Sequence, residues 1–320
     1  MTEITRMPTV LFAGKETLRD DYARHLDRAQ SARGINLRLV LDPAEIARAE
    51  VDYVIYSGNG PLKDLTPYPN LRAILNLWAG VEEVLTHPMP EDVPLVRMIE
   101  PGLTLGMIDY VVAHTLRHHM QLDQFIGRDA TREWELDAPP LARDRTVGIL
   151  GLGALGQECG KALAGLGFRV LGWSRSRKDA GPVESHAGEA GLDVVLARSE
   201  ILVLLLPQTP DTTGILGASA IARMPRGACV INAGRGPLID DPALIAALDR
   251  GHLAHATLDV FDTEPLPSDH AFWDHPKVTV TPHIASITRA ETASDALVAN
   301  IARDLAGEPM IGVVDRAIGY

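Results

Sequence analysis

The chain has 320 residues, of which 46% are hydrophobic and 22% charged, an ordinary globular balance for about two domains. Its formal charge of −12, from 30 Lys and Arg against 42 Asp and Glu, argues against a nucleic-acid-binding surface. No apolar run is long enough to span a bilayer, and Met1-Thr2-Glu3-Ile4-Thr5-Arg6 has neither the basic start nor the apolar stretch of a signal peptide.

The elements follow in chain order. Pro8 to Ala13 reads as a strand and Thr17 to Arg33 as an amphipathic helix. Asn36 to Leu41, Tyr53 to Ser57, Ala73 to Leu77 and Leu95 to Met98 read as further strands. This alternation predicts a parallel sheet covered by helices. Tyr110 to Leu116 reads as a packed helix linking two domains. His114 and His118 are four apart in a helical stretch, with His119 adjacent, which is metal-compatible spacing, but no His-Glu-x-x-His or nearby acid completes a site, so no metal is expected. A second alternation has strands at Thr146–Leu150, Arg169–Trp173, Ile201–Leu205, Cys229–Asn232, His255–Asp259 and Val278–Thr281. The polar segment Ser174 to Gly191, interrupted by Gly181-Pro182, reads as a surface connection. A last helix-like stretch begins near Ala285 and ends around Gly307-Glu308-Pro309. Cys159 and Cys229 lie in apolar contexts, so packing and a reducing cytoplasm are the expectation.

The most informative stretch is Gly151-Leu152-Gly153-Ala154-Leu155-Gly156. An apolar strand precedes it. Leu155, Cys159, Leu163 and Leu166 follow at helical spacing, as one face. Strand, glycine turn and helix N-terminus make a dinucleotide pyrophosphate site. Gly151 permits the turn, Gly153 lets backbone approach phosphate, and Gly156 lets helix and strand pack closely. The helix N-terminus offers unpaired N–H groups to the anion.

Ligands of open parallel sheets bind beyond the carboxyl ends of the strands, so two α/β units imply a cleft lined by polar residues that follow strands. Three segments stand out. In Asn232-Ala233-Gly234-Arg235-Gly236, Arg235 has the guanidinium to hold a carboxylate by two hydrogen bonds; alone, it is equally a solvated surface arginine. In the segment from Asp259 to Pro267, Asp259 and Glu264 follow a strand in a proline-rich turn; alone, they can also be simple turn chemistry, which is all that Asp262 is. In Thr281-Pro282-His283, a histidine stands at a strand end, where it suits general acid–base work; alone, it is equally a structural histidine.

Together, Arg235, Glu264 and His283, in this order after the glycine fingerprint, resemble the D-2-hydroxyacid dehydrogenase family along nearly the whole chain. Leu205 to Thr212 and Met224 to Ala228 carry the same likeness. The resemblance implies an α/β fold of two domains. A Rossmann-type coenzyme domain spans 101–284, and a smaller flavodoxin-like parallel α/β substrate domain takes 1–100 and 285–320. It also implies homodimers paired through the coenzyme domain. The implied chemistry is reduction of a 2-keto acid. Arg235 holds its carboxylate and polarises the keto oxygen, His283 donates a proton, and Glu264 orients His283 and should raise its pKa.

Beyond the glycine loop, the resemblance places Ser174, Arg175 and Ser176 at the coenzyme. It does the same for Leu206, Pro207 and Thr212, for Ala233, Gly234 and Arg235, and for Asp259, His283 and Ala285. Substrate contacts fall to Arg235, His283 and the loop Trp78-Ala79-Gly80, whose N–H groups hold the carboxylate; Trp78 itself borders the pocket or sits in the core. Arg289 adds a second cation or is a surface helix residue. An NAD site usually has an acid about twenty residues past the fingerprint; here Ser174-Arg175-Ser176-Arg177-Lys178 stands instead. Arg175 suits a 2′-phosphate, so NADPH is favoured over NADH, against the alternative of a solvated basic turn. The glyoxylate/hydroxypyruvate reductase branch is the most similar, through Trp173-Ser174-Arg175-Ser176 and the run from His283 to Arg289. Glu264 argues against the formate dehydrogenase branch, which carries an amide there. Tyr56-Ser57-Gly58-Asn59-Gly60 matches no recognised substrate selector, so side-chain preference stays open. Two other readings stay open: a coenzyme-sensing, protein-binding corepressor, and an NADH-dependent dehydrogenase of a bulkier acid.

Overall fold

Short apolar runs rich in Val and Ile, bounded by turn residues, build every central strand. In the computed structural model, which describes residues 6–125 and 138–319, they form two all-parallel sheets. The chain begins with β1 (Thr9–Ala13), α1 (Arg19–Arg33), β2 (Arg38–Val40), β3 (Tyr53–Tyr56), β4 (Ala73–Asn76), β5 (Leu95–Val96) and α2 (Pro101–His119). It continues with β6 (Thr146–Leu150), α3 (Ala154–Gly165), β7 (Arg169–Ser174), β8 (Glu184–Ala187), α4 (Gly188–Arg198) and β9 (Ile201–Leu204). Last come α5 (Ala218–Arg223), β10 (Ala228–Asn232), α6 (Asp241–Asp249), β11 (Leu253–Leu258), β12 (Val278–Val280) and α7 (Ala290–Leu305).

Two compact units result, Met1–Leu103 with Thr288–Tyr320, and Thr104–Ile287. The first has a five-stranded sheet ordered β2-β1-β3-β4-β5, the flavodoxin-like order. All residues of β1, β3 and β4 are buried, as strands covered on both faces must be. α1 and α7 pack against each other, with Arg28 and Glu291 paired at 2.9 Å across their exposed rims. α1 stops at Gly34, whose φ of 64° lets its N–H close on Gln30 and Ser31 carbonyls.

The second unit has a seven-stranded sheet ordered β12-β11-β10-β9-β6-β7-β8, the doubly wound Rossmann arrangement with an added strand. Asp240 caps α6 by accepting from the Ala243 N–H at 3.0 Å. Cys159 and Cys229 are unpaired and buried, and burial pushes both thiols up to about 12. Among the described residues no helix is long and apolar enough to cross a membrane.

Two expectations change. The stretch 174–191 is not merely a connection: it contains β8, paired in parallel with β7 from Leu171↔Glu184 to Ser174↔Ala187. As an edge strand β8 needs a neighbour on one side only and is only partly buried, so it lacks the apolar run that marks an interior strand. Leu166 does not share the buried face of α3. The helix ends at Gly165, and Leu166 is its C-cap, 47% exposed, while Cys159 and Leu163 are fully buried.

Candidate active site

The glycine turn joins β6 to α3. Gly151 has φ 113°, and a Cβ there would stand 2.7 Å from the Leu205 carbonyl oxygen; only glycine passes so close to the end of β9 in that conformation. A Cβ at Gly156 would lie 1.8 Å from the Gly151 oxygen, so α3 presses directly on the turn. Gly153, the N-cap of α3, would place a Cβ with no heavy atom within 4 Å, and no side chain caps the helix there. Open space before unpaired N–H groups fits a dinucleotide pyrophosphate. Leu152 is buried and Leu155 half-buried, with Ala154 exposed beside them.

At the end of β7, the buried Ser174 donates its hydroxyl to the Ser176 carbonyl at 2.7 Å. Arg175 and Ser176 are exposed. Arg177 is turned back, donating from Nε to the Ser185 carbonyl at 3.2 Å, and the Lys178 N–H donates to Ser185 Oγ at 3.0 Å. Ser185 on β8 therefore fixes the basic turn, a role hidden in the sequence because β8 was not legible there.

Two further turns complete this side. The Thr212 hydroxyl donates to the Pro207 carbonyl at 2.7 Å and accepts from the Thr209 N–H, closing the turn after β9. Leu206 is buried, and a Cβ at Gly234 would lie 2.9 Å from its carbonyl oxygen, so the turns after β9 and β10 touch. Asn232, at the end of β10, donates to the Arg235 carbonyl at 2.9 Å and accepts from the Gly234 N–H at 3.1 Å. It clamps Ala233-Gly234-Arg235, and asparagine as the last residue before a turn was the available signal.

Arg235 donates to the Gly234 carbonyl at 2.6 Å. A Cβ at Gly236 would overlap the Phe261 carbonyl carbon at 2.0 Å, which seats this turn against the segment leading to Glu264. One Glu264 oxygen accepts from the Phe261 N–H at 2.9 Å; the other meets His283 Nδ1 at 2.7 Å. A carboxylate only accepts, so Nδ1 carries the proton and Nε2 is left to act on a ligand. The Glu264 bond raises the His283 pKa above its ordinary value, against burial and the Arg235 charge. Burial works to raise Glu264, but the His283 and Phe261 bonds and the Arg235 charge hold it below its usual value. The structure thus brings Arg235, Glu264 and His283 together at one edge of the second unit.

His283 itself has φ 53°, a left-handed conformation that few non-glycine residues adopt. Asp259 holds it there. The His283 N–H donates to the Asp259 main-chain carbonyl, and the Ile284 and Ala285 N–H groups donate to its carboxylate at 2.9 and 2.8 Å. The Thr281 hydroxyl donates to the same carboxylate at 2.6 Å. Asp259 is 1% exposed, so the role its geometry displays is support of the loop.

Trp78, Ala79, Gly80 and Arg289 belong to the first unit. Asn76 donates to the Trp78 and Gly80 carbonyls at 2.8 Å each, which shapes that loop, and Trp78 is half-buried against the first unit's core. Arg289 donates to the Gly102 carbonyl at 3.2 Å. Among the described residues no three His, Cys, Asp or Glu side chains gather as metal donors. His118 bonds Thr257 at 3.0 Å, His114 lies against Tyr110 with the rings tilted, and His119 meets Phe168 edge-on.

A glycine turn after the first strand of a doubly wound sheet, with a hydrogen-bonded His–Glu pair beyond strands of that same sheet, is the layout of an NAD(P)-dependent oxidoreductase. Residues 110–285 match the family model described as D-isomer specific 2-hydroxyacid dehydrogenase, NAD binding domain. Glyoxylate/hydroxypyruvate reductase A of Yersinia enterocolitica is 41% identical over 266 residues, 81% of this chain and 85% of that protein. Its namesake in Photorhabdus laumondii is 36% identical over 93% of this chain and 98% of that protein. A D-isomer specific 2-hydroxyacid dehydrogenase from Xanthobacter autotrophicus Py2, solved with NADPH and MES, superposes with a TM-score of 0.91 at 38% identity, covering 98% of this chain and all of that one. An NADPH-dependent glyoxylate/hydroxypyruvate reductase from Sinorhizobium meliloti, solved with NADP and sulfate, gives 0.85 at 36% with the same coverage. The chain belongs to the D-isomer specific 2-hydroxyacid dehydrogenase family, as its sequence motifs implied.

Proposed function

We propose that this protein reduces a small 2-keto acid, of the glyoxylate or hydroxypyruvate kind, to its 2-hydroxy acid, and prefers NADPH to NADH. The 2.7 Å bond between His283 Nδ1 and Glu264, beside Arg235, carries the reading. A bound reduced nicotinamide supplies hydride to the keto carbon. Arg235 holds the substrate carboxylate and polarises the keto oxygen. His283 gives that oxygen a proton from Nε2 as negative charge develops, and Glu264 orients the ring and favours its protonated form. Preorganised positive charge at the developing alkoxide lowers the barrier.

The turn after β7 supports the choice of coenzyme. No acid lies in 174–178 to repel a 2′-phosphate, and Arg175 is exposed there. The relatives solved with NADPH or NADP agree with this. In the same reading 101–284 is the coenzyme domain, and 1–100 with 285–320 is the substrate domain, which carries Trp78-Ala79-Gly80 and Arg289 as substrate-binding residues. The protein is a cytoplasmic homodimer paired through the coenzyme domain.

The test follows absorbance loss of NADPH and NADH separately with glyoxylate, hydroxypyruvate, pyruvate and phenylpyruvate. Rapid oxidation of NADPH with one of the first two is expected. No oxidation with any of the four, despite tight coenzyme binding, overturns the reading and favours a coenzyme-sensing role.

A further inference from the structure

The buried face of α2 carries aliphatic side chains such as Met107 and Val111 and, beside them, two polar contacts: Tyr110 meets Thr281 at 2.7 Å and His118 meets Thr257 at 3.0 Å. The first contact leads to the site. A hydroxyl has one proton to give. That of Thr281 is committed to the Asp259 carboxylate, at 2.6 Å, because a carboxylate has none to offer. Tyr110 is therefore the donor in its bond to Thr281. Burial raises the phenol's pKa and keeps that proton in place. The result is a one-way relay from Tyr110 to Thr281 to Asp259. It ends on the carboxylate that takes the Ile284 and Ala285 N–H groups directly after the left-handed His283. In a buried site each bond polarises the next.

We infer that Tyr110 is a positioning residue for the reductase site: its hydroxyl, through Thr281 and Asp259, holds the backbone turn on which His283 stands. Its effect passes through main-chain geometry, and the inference rests on the role proposed for His283.

Tyr110→Phe removes the hydroxyl and keeps the ring's tilted contact with His114, 4.4 Å between centroids. Two readouts on the full-length protein test it. With glyoxylate and NADPH, kcat should fall about tenfold, the rate equivalent of one hydrogen bond, while KM changes less than about twofold. In the protein without ligands, hydrogen exchange at the Ile284 and Ala285 amides should quicken about tenfold while exchange elsewhere in the unit holds, and the melting temperature should fall by no more than about 5 °C. Thr281→Val should do the same, Thr281→Ser should recover most of what Thr281→Val loses, and the double variant Tyr110→Phe/Thr281→Val should be no worse than Thr281→Val alone, as serial action requires. Unchanged exchange at those two amides, or exchange that quickens throughout the unit as the melting temperature drops, overturns the inference. If His283→Ala keeps turnover, the reading of the site fails instead; the exchange result still decides whether Tyr110 holds the turn.

Discussion

His283 donates its main-chain N–H to the carbonyl of Asp259 at 2.9 Å, and the Asp259 carboxylate takes the next two N–H groups. One buried acid thereby secures three consecutive amides. Asp259→Asn leaves a poorer acceptor, and an unsatisfied buried amide costs about 1–3 kcal/mol. Loss of at least about tenfold in kcat, with coenzyme affinity less affected, is the expected outcome in steady-state and binding measurements. An Asn variant with wild-type kcat would show that the turn holds without the charge.

His283→Ala should remove most turnover and leave NADPH binding nearly intact, because general acid catalysis contributes about 10²–10⁴-fold. Fluorescence titration alongside kinetics separates the two effects. Near-normal turnover would end the acid assignment.

The pH dependence has a definite sign. Reduction needs His283 protonated, so kcat/KM should be full at low pH and fall as pH rises through a pKa above 6.5. In Glu264→Gln that limb should move to lower pH, since the Glu264 bond is the main cause of the shift. The stability the pair contributes follows the same linkage. The His283 share is complete below its unfolded pKa of 6.5 and is lost as pH rises through the raised folded value; the Glu264 share is lost as pH falls through a value below 4.5. A limb that stays put in Glu264→Gln would contradict the assignment.

Gly153 and Gly156 should separate binding from folding. A methyl at Gly156 collides with the Gly151 backbone, which cannot swing away. Gly156→Ala should cost about 2–3 kcal/mol, roughly 5–10 °C in Tm. Gly153 has φ −75° and open space around it, so Gly153→Ala should melt like the wild type yet bind coenzyme at least about tenfold more weakly, because the methyl occupies the phosphate approach. Calorimetry with and without NADPH reads both. Equal melting of the two variants would refute the contrast.

Arg175→Ala should raise the Kd of NADPH by about tenfold or more and leave that of NADH within about twofold, as expected for a charge-assisted phosphate contact. Equal losses for both coenzymes would remove the phosphate contact from the account.

What the sequence determined by itself was whatever is local or periodic. The glycine turn, its flanking strand and helix and the alternation behind two parallel sheets depend on neighbours within a few residues, while the order of Arg235, Glu264 and His283 along the chain, itself a property of the sequence, carried the family likeness. The tertiary structure decided the rest. β8 owes its pairing to β7 rather than to its own composition, and only through it does Ser185 come to fix the basic turn. Leu166 fits the helical period but lies past the last turn of α3, where exposure depends on where the helix stops. The left-handed His283, and the Tyr110–Thr281–Asp259 relay behind it, join residues as far as 171 positions apart. Hydrogen bonds between distant hydroxyls and carboxylates leave no periodic trace in a sequence, because they become specific only after the backbone has set their distance and angle.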